Sequence, residues 1–235
     1  MSHNNDKRLF LIDAYAMIFR GYYALIRSPR ITSDGKDTSA IFGFTNSLIE
    51  LIRREKPTHL AVVFDVGEAS VRTADFSDYK ANRSETPEAI KIAIPYIHRI
   101  LEAMHVPILG VEGYEADDVI GTIACKAEKE GYTTYMVTPD KDFAQLVTDK
   151  IKIYKPGLKG AEFEILGVEE VKAKYEVDDP KQVIDFLAMM GDLVDNIPGL
   201  DGVGEKTAKK FLKEYGSIEN LLANTHEIKG KLREK

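Results

Sequence analysis

Short apolar runs of strand length alternate with longer amphipathic stretches through the first two thirds of the chain. The runs predict strands at Leu9–Asp13, Leu60–Asp65, Val106–Val111 and Thr133–Thr138. The spacing of apolar residues predicts helices at Ala14–Ile26, Thr38–Lys56, Pro87–His105, Ala116–Glu130 and Phe143–Thr148. Strands that alternate with helices form a parallel sheet with helices on both faces. We therefore predict an α/β fold with a doubly wound, mostly parallel sheet.

The pattern changes in the last third of the chain. Ile151–Tyr154 and Glu162–Leu166 predict a short pair of strands, after which the pattern is helical to the end. A boundary near Asp178–Pro180 gives an α/β domain at 1–178 and a small helical region at 179–235. The chain stops at Lys235 within an unfinished helical pattern, so we expect this second region to be truncated at its C-terminus.

Composition narrows the class of protein. A chain of 235 residues with 44% hydrophobic content can bury a core without cross-links. Met1 to Arg8 is polar, and no apolar stretch of membrane length follows it, so we expect a cytoplasmic protein with no membrane partner. The single cysteine, Cys125, excludes a disulfide within the chain, and its small apolar neighbours predict that it is buried.

Carboxylates follow three of the predicted strands. Asp13 ends the first strand, Asp65 ends the second, and Asp140 follows the run YMVTP. In open α/β sheets the ligand site lies at the carboxyl ends of the strands, so these three should meet at one edge. Each Asp could instead cap a helix, which explains any one of them better than it explains all three.

Further acids are grouped at two predicted helix starts and one turn. They are Glu115, Asp117 and Asp118 in GYEADDVIG, Asp140 and Asp142 in TPDKD, and Asp192 and Asp195 in MMGDLVDNIPG. The helix dipole favours acids in a first turn by only ~0.3–1 kcal/mol, which does not require three acids in four residues. Carboxylates are the ligands that Mg²⁺ and Mn²⁺ prefer, and two such ions ~3.5–4 Å apart hydrolyse phosphodiesters. No GxxxxGK[ST] or GxGxxG motif points to a nucleotide-binding fold instead.

Basic residues are clustered despite the formal net charge of −6. In GLDGVGEKTAKKFLKEYG, a Gly-Val-Gly turn precedes a helix with Lys206, Lys209, Lys210 and Lys213, which favours contact with a sugar-phosphate backbone. Residues 66–84 form a long polar stretch without a clear period, either functional or a tolerated insertion. Tyr22 and Tyr23 could stack on a base, although aromatic residues at this position are more often part of a core.

Eight motifs follow one another along the chain: LFLIDAYAMIFRGYYAL, TSAIFGF, VVFD, DYKANRSETPE, GYEADDVIGTIA, TPDKDFAQLV, GDLVDNIPG and GVGEKTAKKFL. In order and near spacing they resemble the motifs of the 5′-nuclease family, which includes flap endonucleases and the nuclease domain of bacterial DNA polymerase I. One departure lies in the GDLVDN motif, where Leu193 and Val194 stand at positions that are often serines in the family.

The resemblance implies roles for the acids. Asp13, Asp65, Glu115 and Asp117 correspond to a first metal site, and Asp140, Asp142 and Asp195 to a second. Asp118 and Asp192 correspond to outer-sphere partners. The implied cofactors are two Mg²⁺ or Mn²⁺ ions.

The resemblance also implies roles for the cations. Lys80 and Arg83 correspond to a pair that faces the scissile phosphate from a mobile arch, about residues 66–95, which also contains Arg72. The turn Gly202, Val203 and Gly204 corresponds to a helix–hairpin–helix turn that grips duplex DNA and binds K⁺. The implied DNA contacts further include Arg20, Tyr22, Lys206, Thr207, Lys209 and Lys210.

The implied function is a monomeric, structure-specific 5′-nuclease that cuts 5′ flaps, nicked or branched DNA and RNA primers in replication and repair. A polymerase domain could be fused to it. Two alternatives remain open, a branched-DNA-binding module with weak or no catalysis and a single-strand ribonuclease of a related fold. The complete set of acids favours catalysis over the first, and the arch and the helix–hairpin–helix motif argue against the second.

Overall fold

A computed structural model describes residues 6–67, 71–155, 157 and 163–228. The chain divides into two compact units. The sheet unit contains Met1–Ser70, Ser84–Asp140 and Lys150–Ile165, and the helical unit contains Val71–Arg83, Lys141–Asp149 and Leu166–Lys235. Nearly all of the strands, and every carboxylate predicted to end a strand, belong to the sheet unit.

The sheet has six strands in the order β3-β2-β1-β4-β5-β6. The strands are β1 (Arg8–Asp13), β2 (His59–Val63), β3 (Ile108–Leu109), β4 (Thr133–Val137), β5 (Ile151–Lys155) and β6 (Glu164–Leu166). β1 pairs in parallel with both β2 and β4, and the β2–β3 and β4–β5 pairs are also parallel. The chain winds from β1 toward β3 and then continues on the other side of β1 at β4. The predicted doubly wound fold is confirmed, and its winding reverses between β1 and β4.

Helices cover both faces of the sheet. The helices of the sheet unit are α1 (Ala14–Ala24), α2 (Ser39–Glu55), α4 (Glu88–Ala103) and α5 (Ala116–Lys129). α1, α2 and α4 pack together over Phe10 and Ile12 of β1, whereas α5 packs against β1 and β4. α1 and α2 cross closely at Gly21 and Gly43. The crossing requires glycine, because a Cβ on Gly43 would lie 2.5 Å from the Cα of Gly21. This close crossing explains the glycines of the RGYYAL and AIFGF motifs.

The helical unit is built from short helices. They are α3 (Val71–Asp75), α6 (Val168–Tyr175), α7 (Val183–Met190), α8 (Glu205–Tyr215) and α9 (Ile218–Ala223), with 3-10 turns at Asp142–Leu146, Pro180–Gln182 and Thr225–Glu227. α7 packs against α8, and Phe186 of α7 meets Tyr175 of α6 edge to face. The helix predicted at Phe143–Thr148 is the 3-10 turn Asp142–Leu146, which is too short for a stable α-helix.

Four further expectations differ from the structure or cannot be compared with it. The third strand is shorter than predicted, with two residues instead of six. Cys125 is exposed, so its predicted burial is wrong. Residues 88–95, placed in the arch above, belong to α4, where Ile90 and Ala93 are fully buried. The unfinished helix expected at the C-terminus involves residues 229–235, outside the described residues.

Within the described residues, none of the helices is long and apolar enough to cross a bilayer.

Candidate active site

Asp13 lies where β1 ends and α1 begins, at the point where the winding reverses. One carboxylate oxygen accepts a hydrogen bond from the backbone N–H of Ala16 at 3.1 Å and so caps α1. The other accepts from the buried hydroxyl of Thr138, directly after β4, at 3.2 Å. The carboxyl ends of β1 and β4 are therefore linked through Asp13, at the position where ligands bind in doubly wound folds.

The pKa of Asp13 reports its surroundings. The pKa is raised from 3.8 to about 6, and burial is the largest cause. The charges of Asp65 and Asp140 also raise the pKa, whereas the hydrogen bonds from Ala16 and Thr138 lower it. Repulsion of this kind requires the carboxylates to lie close to one another. The structure thus brings together the three acids expected at the strand ends.

The first turn of α5 lies beside Asp65. A carboxylate oxygen of Asp65 accepts from the backbone N–H of Ala116, the first residue of α5, at 2.6 Å. Glu115 caps α5, and the carboxylate of Asp118 accepts from the N–H of Glu115 at 3.1 Å. Asp117 is in the same turn and, like its two acidic neighbours, is partly buried. The dipole of α5 therefore favours negative charge on Asp65 and on the three acids of the EADD motif.

Across the described residues, no three acidic, histidine or cysteine side chains are placed so that they could hold one metal ion together. Asp13, Asp65 and Asp118 instead point their carboxylates at backbone amides or at a hydroxyl. Two observations fit a hard cation at this edge. The side chains offer carboxylate oxygens, and the pKa of Asp13 is raised chiefly by burial and further by the charges of Asp65 and Asp140.

In the helical unit, acids are paired with cations. Lys141 contacts Asp142 at 3.2 Å and forms a closer ion pair with Asp192. Burial acts to raise the pKa of Asp192, but hydrogen bonds from Lys141 and from the amides of Val194 and Asp195 outweigh it and lower the pKa. The same two acids raise the pKa of Lys141 against the opposing effect of burial.

Asp195 is paired with a predicted catalytic residue. The guanidinium of Arg83 donates two hydrogen bonds to one carboxylate oxygen of Asp195, the longer of them 3.1 Å. The hydroxyl of Tyr79 donates to the other oxygen at 3.4 Å, and the N–H of Lys80 donates to the carbonyl of Asp195 at 3.0 Å. Residues 78–83 are therefore hydrogen bonded to the turn that contains Asp195, and moving them would break these bonds.

The lysines of α8 differ in their surroundings. Gly202 has the positive φ of 82° that the predicted turn needs, and Gly204 caps α8. Lys206 and Lys210 are exposed, but Lys209 contacts Glu205 at 2.9 Å and Glu176 at 3.2 Å, and its side chain is only 16% exposed. These side chains and Lys213 line a cavity of about 460 Å³. Val203 and Thr207 are partly buried.

The remaining predicted contacts are Arg20, Tyr22 and Arg72. Arg20 donates to the carbonyl of Gly157, within the sheet unit. Tyr22 is partly buried against the main core and meets Tyr23 edge to face, with ring centroids 5.3 Å apart. Arg72 lies on the short helix α3.

Comparison with known proteins identifies the family. Residues 8–176 match the model of the 5'-3' exonuclease N-terminal resolvase-like domain, and residues 178–235 match that of the 5'-3' exonuclease C-terminal SAM fold. The chain belongs to the 5′-3′ exonuclease family. The nuclease class inferred from the motifs is confirmed.

Relatives in the curated set agree with this membership. The chain is 41% identical to a 5'-3' exonuclease of Aquifex aeolicus over 93% of its own length and 73% of the relative. It is 42% identical to DNA polymerase I of Bacillus subtilis over 97% of its length, but it spans only 26% of that protein.

Two solved structures share the fold. One is the T5 5'-exonuclease with bound divalent zinc ions, with a TM-score of 0.76 and 22% identity over 97% of this chain and 83% of that one. The other is the catalytic core of Rad2 in complex with DNA substrate, with a TM-score of 0.63 and 20% identity over 97% of this chain and 69% of that one.

Two residues that contact the predicted acids were not singled out from the sequence. Thr138 orients Asp13, and Lys141 joins Asp142 to Asp192. Both stand inside the quoted motif TPDKD, so the motif itself contained the signal.

Proposed function

We propose that the chain hydrolyses phosphodiester bonds at 5′ flaps, nicks and branches of DNA, and in RNA primers, as a monomer in the cytoplasm. It would act as the nuclease part of a longer protein that also contains a polymerase. The observation that carries the proposal is the group of three carboxylates at the reversal of winding, where burial, together with the charges of Asp65 and Asp140, raises the pKa of Asp13 to about 6. Such a group costs stability unless a cation joins it.

The cation we propose is Mg²⁺ or Mn²⁺. Asp13, Asp65, Glu115 and Asp117 would hold one ion, and Asp140, Asp142 and Asp195 a second, with Asp118 and Asp192 in the outer sphere. Ions of this kind lower the pKa of bound water and stabilise charge on the phosphate and on the leaving oxygen. The donor set supports this choice, since carboxylate oxygens suit hard divalent cations.

The protein's contribution at the sheet edge is to hold the carboxylates in place. Thr138 and the amide of Ala16 each fix one oxygen of Asp13, and the amide of Ala116 fixes one oxygen of Asp65. These hydrogen bonds keep the carboxylates at the carboxyl ends of the strands, and the side chains would still have to turn toward a metal ion to bind it.

Two basic regions would bind the substrate. Lys80 and Arg83, with Arg72 in the same segment, would offset charge on the reacting phosphate. The turn Gly202–Gly204, with K⁺ bound, and the exposed Lys206 and Lys210 would hold the duplex backbone, because amides at a helix N-terminus and lysine ammonium groups both bind phosphate. Contacts from Thr207, Lys209, Arg20 and Tyr22 complete the proposed surface.

A panel of substrates tests the function. A 5′-labelled flap, a nicked duplex, single-stranded DNA and single-stranded RNA are incubated with Mg²⁺, with Mn²⁺ or with chelator. We expect cleavage of the flap and the nicked duplex with either metal, and none with chelator. Preferred cleavage of single-stranded RNA would replace the proposal with a ribonuclease, and tight flap binding without cleavage would replace it with a binding module.

A further inference from the structure

A groove separates the strand β3 from helix α5 in the sheet unit. This β3–α5 groove is a cavity of about 580 Å³, lined on one side by Ile108–Val111 and on the other by α5 residues that include Val119, Thr122 and Ile123. Its volume is in the range of about 300–1,000 Å³ that is usual for ligand sites. Of the residues proposed above to bind metal or DNA, only Asp118 lines it. The nuclease function therefore does not account for the groove.

The backbone of β3 can accept a further strand. The carbonyl of Pro107 accepts a hydrogen bond from the N–H of Val62 at 2.9 Å. The carbonyl of Leu109 accepts one from the N–H of Phe64 at 2.8 Å. Alternate residues of a strand bond to the same neighbour in a parallel ladder, so the N–H and C=O of Ile108 point away from β2. Because β3 is the last strand at this end of the described sheet, these two groups lie at an open edge.

The side chains along the β3–α5 groove are mostly apolar and remain partly open to solvent. Val111 is 48% exposed and Tyr114 is 53% exposed, and Ile108 and Ile123 are half-buried. A bulky apolar side chain that enters the groove would remove this surface from water, which favours binding.

The charges on the α5 wall restrict the ligand further. The carboxylate of Asp118 accepts from the N–H of Glu115 at 3.1 Å and so belongs to the cap of α5. Lys126 is exposed and forms no ion pair with the residues that the structure describes. The groove therefore offers one cation to an acidic group. A single cation in an apolar wall is a poor match for nucleic acid, which is bound through several phosphates at once.

We propose that the β3–α5 groove binds an extended peptide segment of a partner protein. The segment adds to β3 as a further strand, places a bulky apolar side chain in the cavity and an acidic side chain against Lys126. The open strand edge carries the choice of a peptide, because only another backbone supplies a donor and an acceptor at strand spacing. This inference goes beyond the proposed function, and it holds whether or not the chain cuts DNA.

Synthetic peptides test the groove. The probes are fluorescein-labelled threonine heptapeptides in which two leucines and one glutamate stand at alternate positions. Both sequence directions are made, so that parallel and antiparallel pairing with β3 are covered. We expect saturable binding of one direction by anisotropy. N-methylation of one alternate set of its amides should weaken binding roughly tenfold, because those N–H groups face β3, and N-methylation of the other set should not.

Substitutions on α5 test the contacts. Lys126→Glu should weaken binding of the glutamate peptide roughly tenfold and strengthen binding of its lysine counterpart. Lys129→Glu changes an exposed lysine of the same helix that does not line the groove, and it should leave both affinities unchanged. Thr122→Tyr fills the groove from an exposed position and should abolish binding of both peptides. Unfolding in urea checks that these surface changes leave the fold intact.

Two further signals locate the bound peptide. Binding should slow hydrogen exchange at the amide of Ile108, and it should change the emission of a dye on Cys125, the only cysteine of the chain, which is exposed on α5. Absence of saturable binding, equal effects of the two N-methylations, or unchanged exchange at Ile108 would each overturn the inference. Self-association of the chain that Thr122→Tyr abolishes would assign the groove to a second copy and overturn it as well.

Discussion

The acids of the sheet unit and those of the helical unit are stabilised in different ways. Asp13 and Asp65 accept hydrogen bonds from backbone amides and from a threonine hydroxyl. Asp192 and Asp195 instead form ion pairs with Lys141 and Arg83. As a result, the pKa of Asp13 is raised, chiefly by burial, whereas hydrogen bonds from Lys141 and the turn lower that of Asp192 against the effect of burial.

The two units therefore differ in how the negative charge of their acids is balanced. At the sheet edge, negative charge accumulates and a divalent cation would relieve repulsion there. In the helical unit, the protein's own cations already balance the acids, so a metal ion would have to compete with them. The predictions that follow test this contrast.

The largest effect is expected at the sheet edge. Asp65→Asn should lower the rate of flap cleavage roughly a thousandfold, because an amide oxygen is a poorer ligand and the lost charge weakens metal binding. Asp192→Asn should lower it roughly 10–100-fold, as is usual for an outer-sphere partner. Rates are measured in single turnover with Mg²⁺, and Asp34→Asn, an exposed acid of a loop, is the control. Equal losses in the two variants would remove the distinction between the acid groups.

The next largest effect on cleavage is expected for the ion pair between Arg83 and Asp195 in the helical unit. Arg83→Ala should slow single-turnover cleavage roughly 100-fold while flap affinity changes little, because the cation acts on charge that develops in the transition state. In the free protein the same variant should speed hydrogen exchange at the amide of Lys80, which donates to Asp195. Arg83→Lys, which keeps the charge, should retain part of both properties. Fast hydrogen exchange at the Lys80 amide in the wild type would show that the observed hydrogen bonds do not persist in solution.

Local patterns predicted much of the fold and part of the site. Asp13, Asp65 and Asp140 were found because the ends of parallel strands meet at one edge, which follows from the alternation of strands and helices. The predicted strand boundaries were less accurate for β3, which lies at one edge of the sheet. Among the described residues, the strand predicted at Val106–Val111 pairs with β2 alone, and its register with β2 covers Ile108–Leu109.

Pairings between distant residues could not be predicted. Arg83 and Asp195 are 112 residues apart, and which cation meets which acid depends on how the chain folds. The pairing of Lys209 with Glu176 is of the same kind, since a lysine-rich helix shows only that its cations lie on one surface. The exposure of Cys125 also depends on which face of α5 meets the sheet, and small apolar neighbours do not determine that face.

The stability of the metal-free protein should reveal what it costs to bury the charge of Asp13 near Asp65 and Asp140. Because the pKa of Asp13 is about 6 in the folded state and near 3.8 in the unfolded chain, the stability cost of ionising it grows from about pH 4 to about pH 6 and is complete above that. Asp13→Asn keeps a side chain that can cap α1 and should stabilise the protein in chelator at pH 8 by roughly 1–3 kcal/mol.

Urea unfolding at pH 8 and pH 4.5 measures how Asp13→Asn changes the free energy of unfolding. The gain from Asp13→Asn should shrink at the lower pH, and Mg²⁺ should reduce it at pH 8 by stabilising wild type. A variant that is less stable than wild type at pH 8 in chelator would show that the hydrogen bonds to Asp13 outweigh the repulsion.

The smallest effect is expected among the lysines of α8, where charge balance again decides the outcome. Lys206 is exposed, and its loss should reduce the salt dependence of duplex binding by about one phosphate contact. Lys209 is held by Glu176 and Glu205, so Lys209→Ala should change the salt dependence less. Glu176→Gln/Glu205→Gln should free Lys209 for phosphate and steepen that dependence, with a few-fold gain in affinity. Slopes of log Kd against log salt are compared on one duplex in Ca²⁺, with Lys181→Ala as the control for an exposed lysine outside α8. If Lys206→Ala and Lys209→Ala give equal reductions, the ion pairs of Lys209 do not withhold it from DNA.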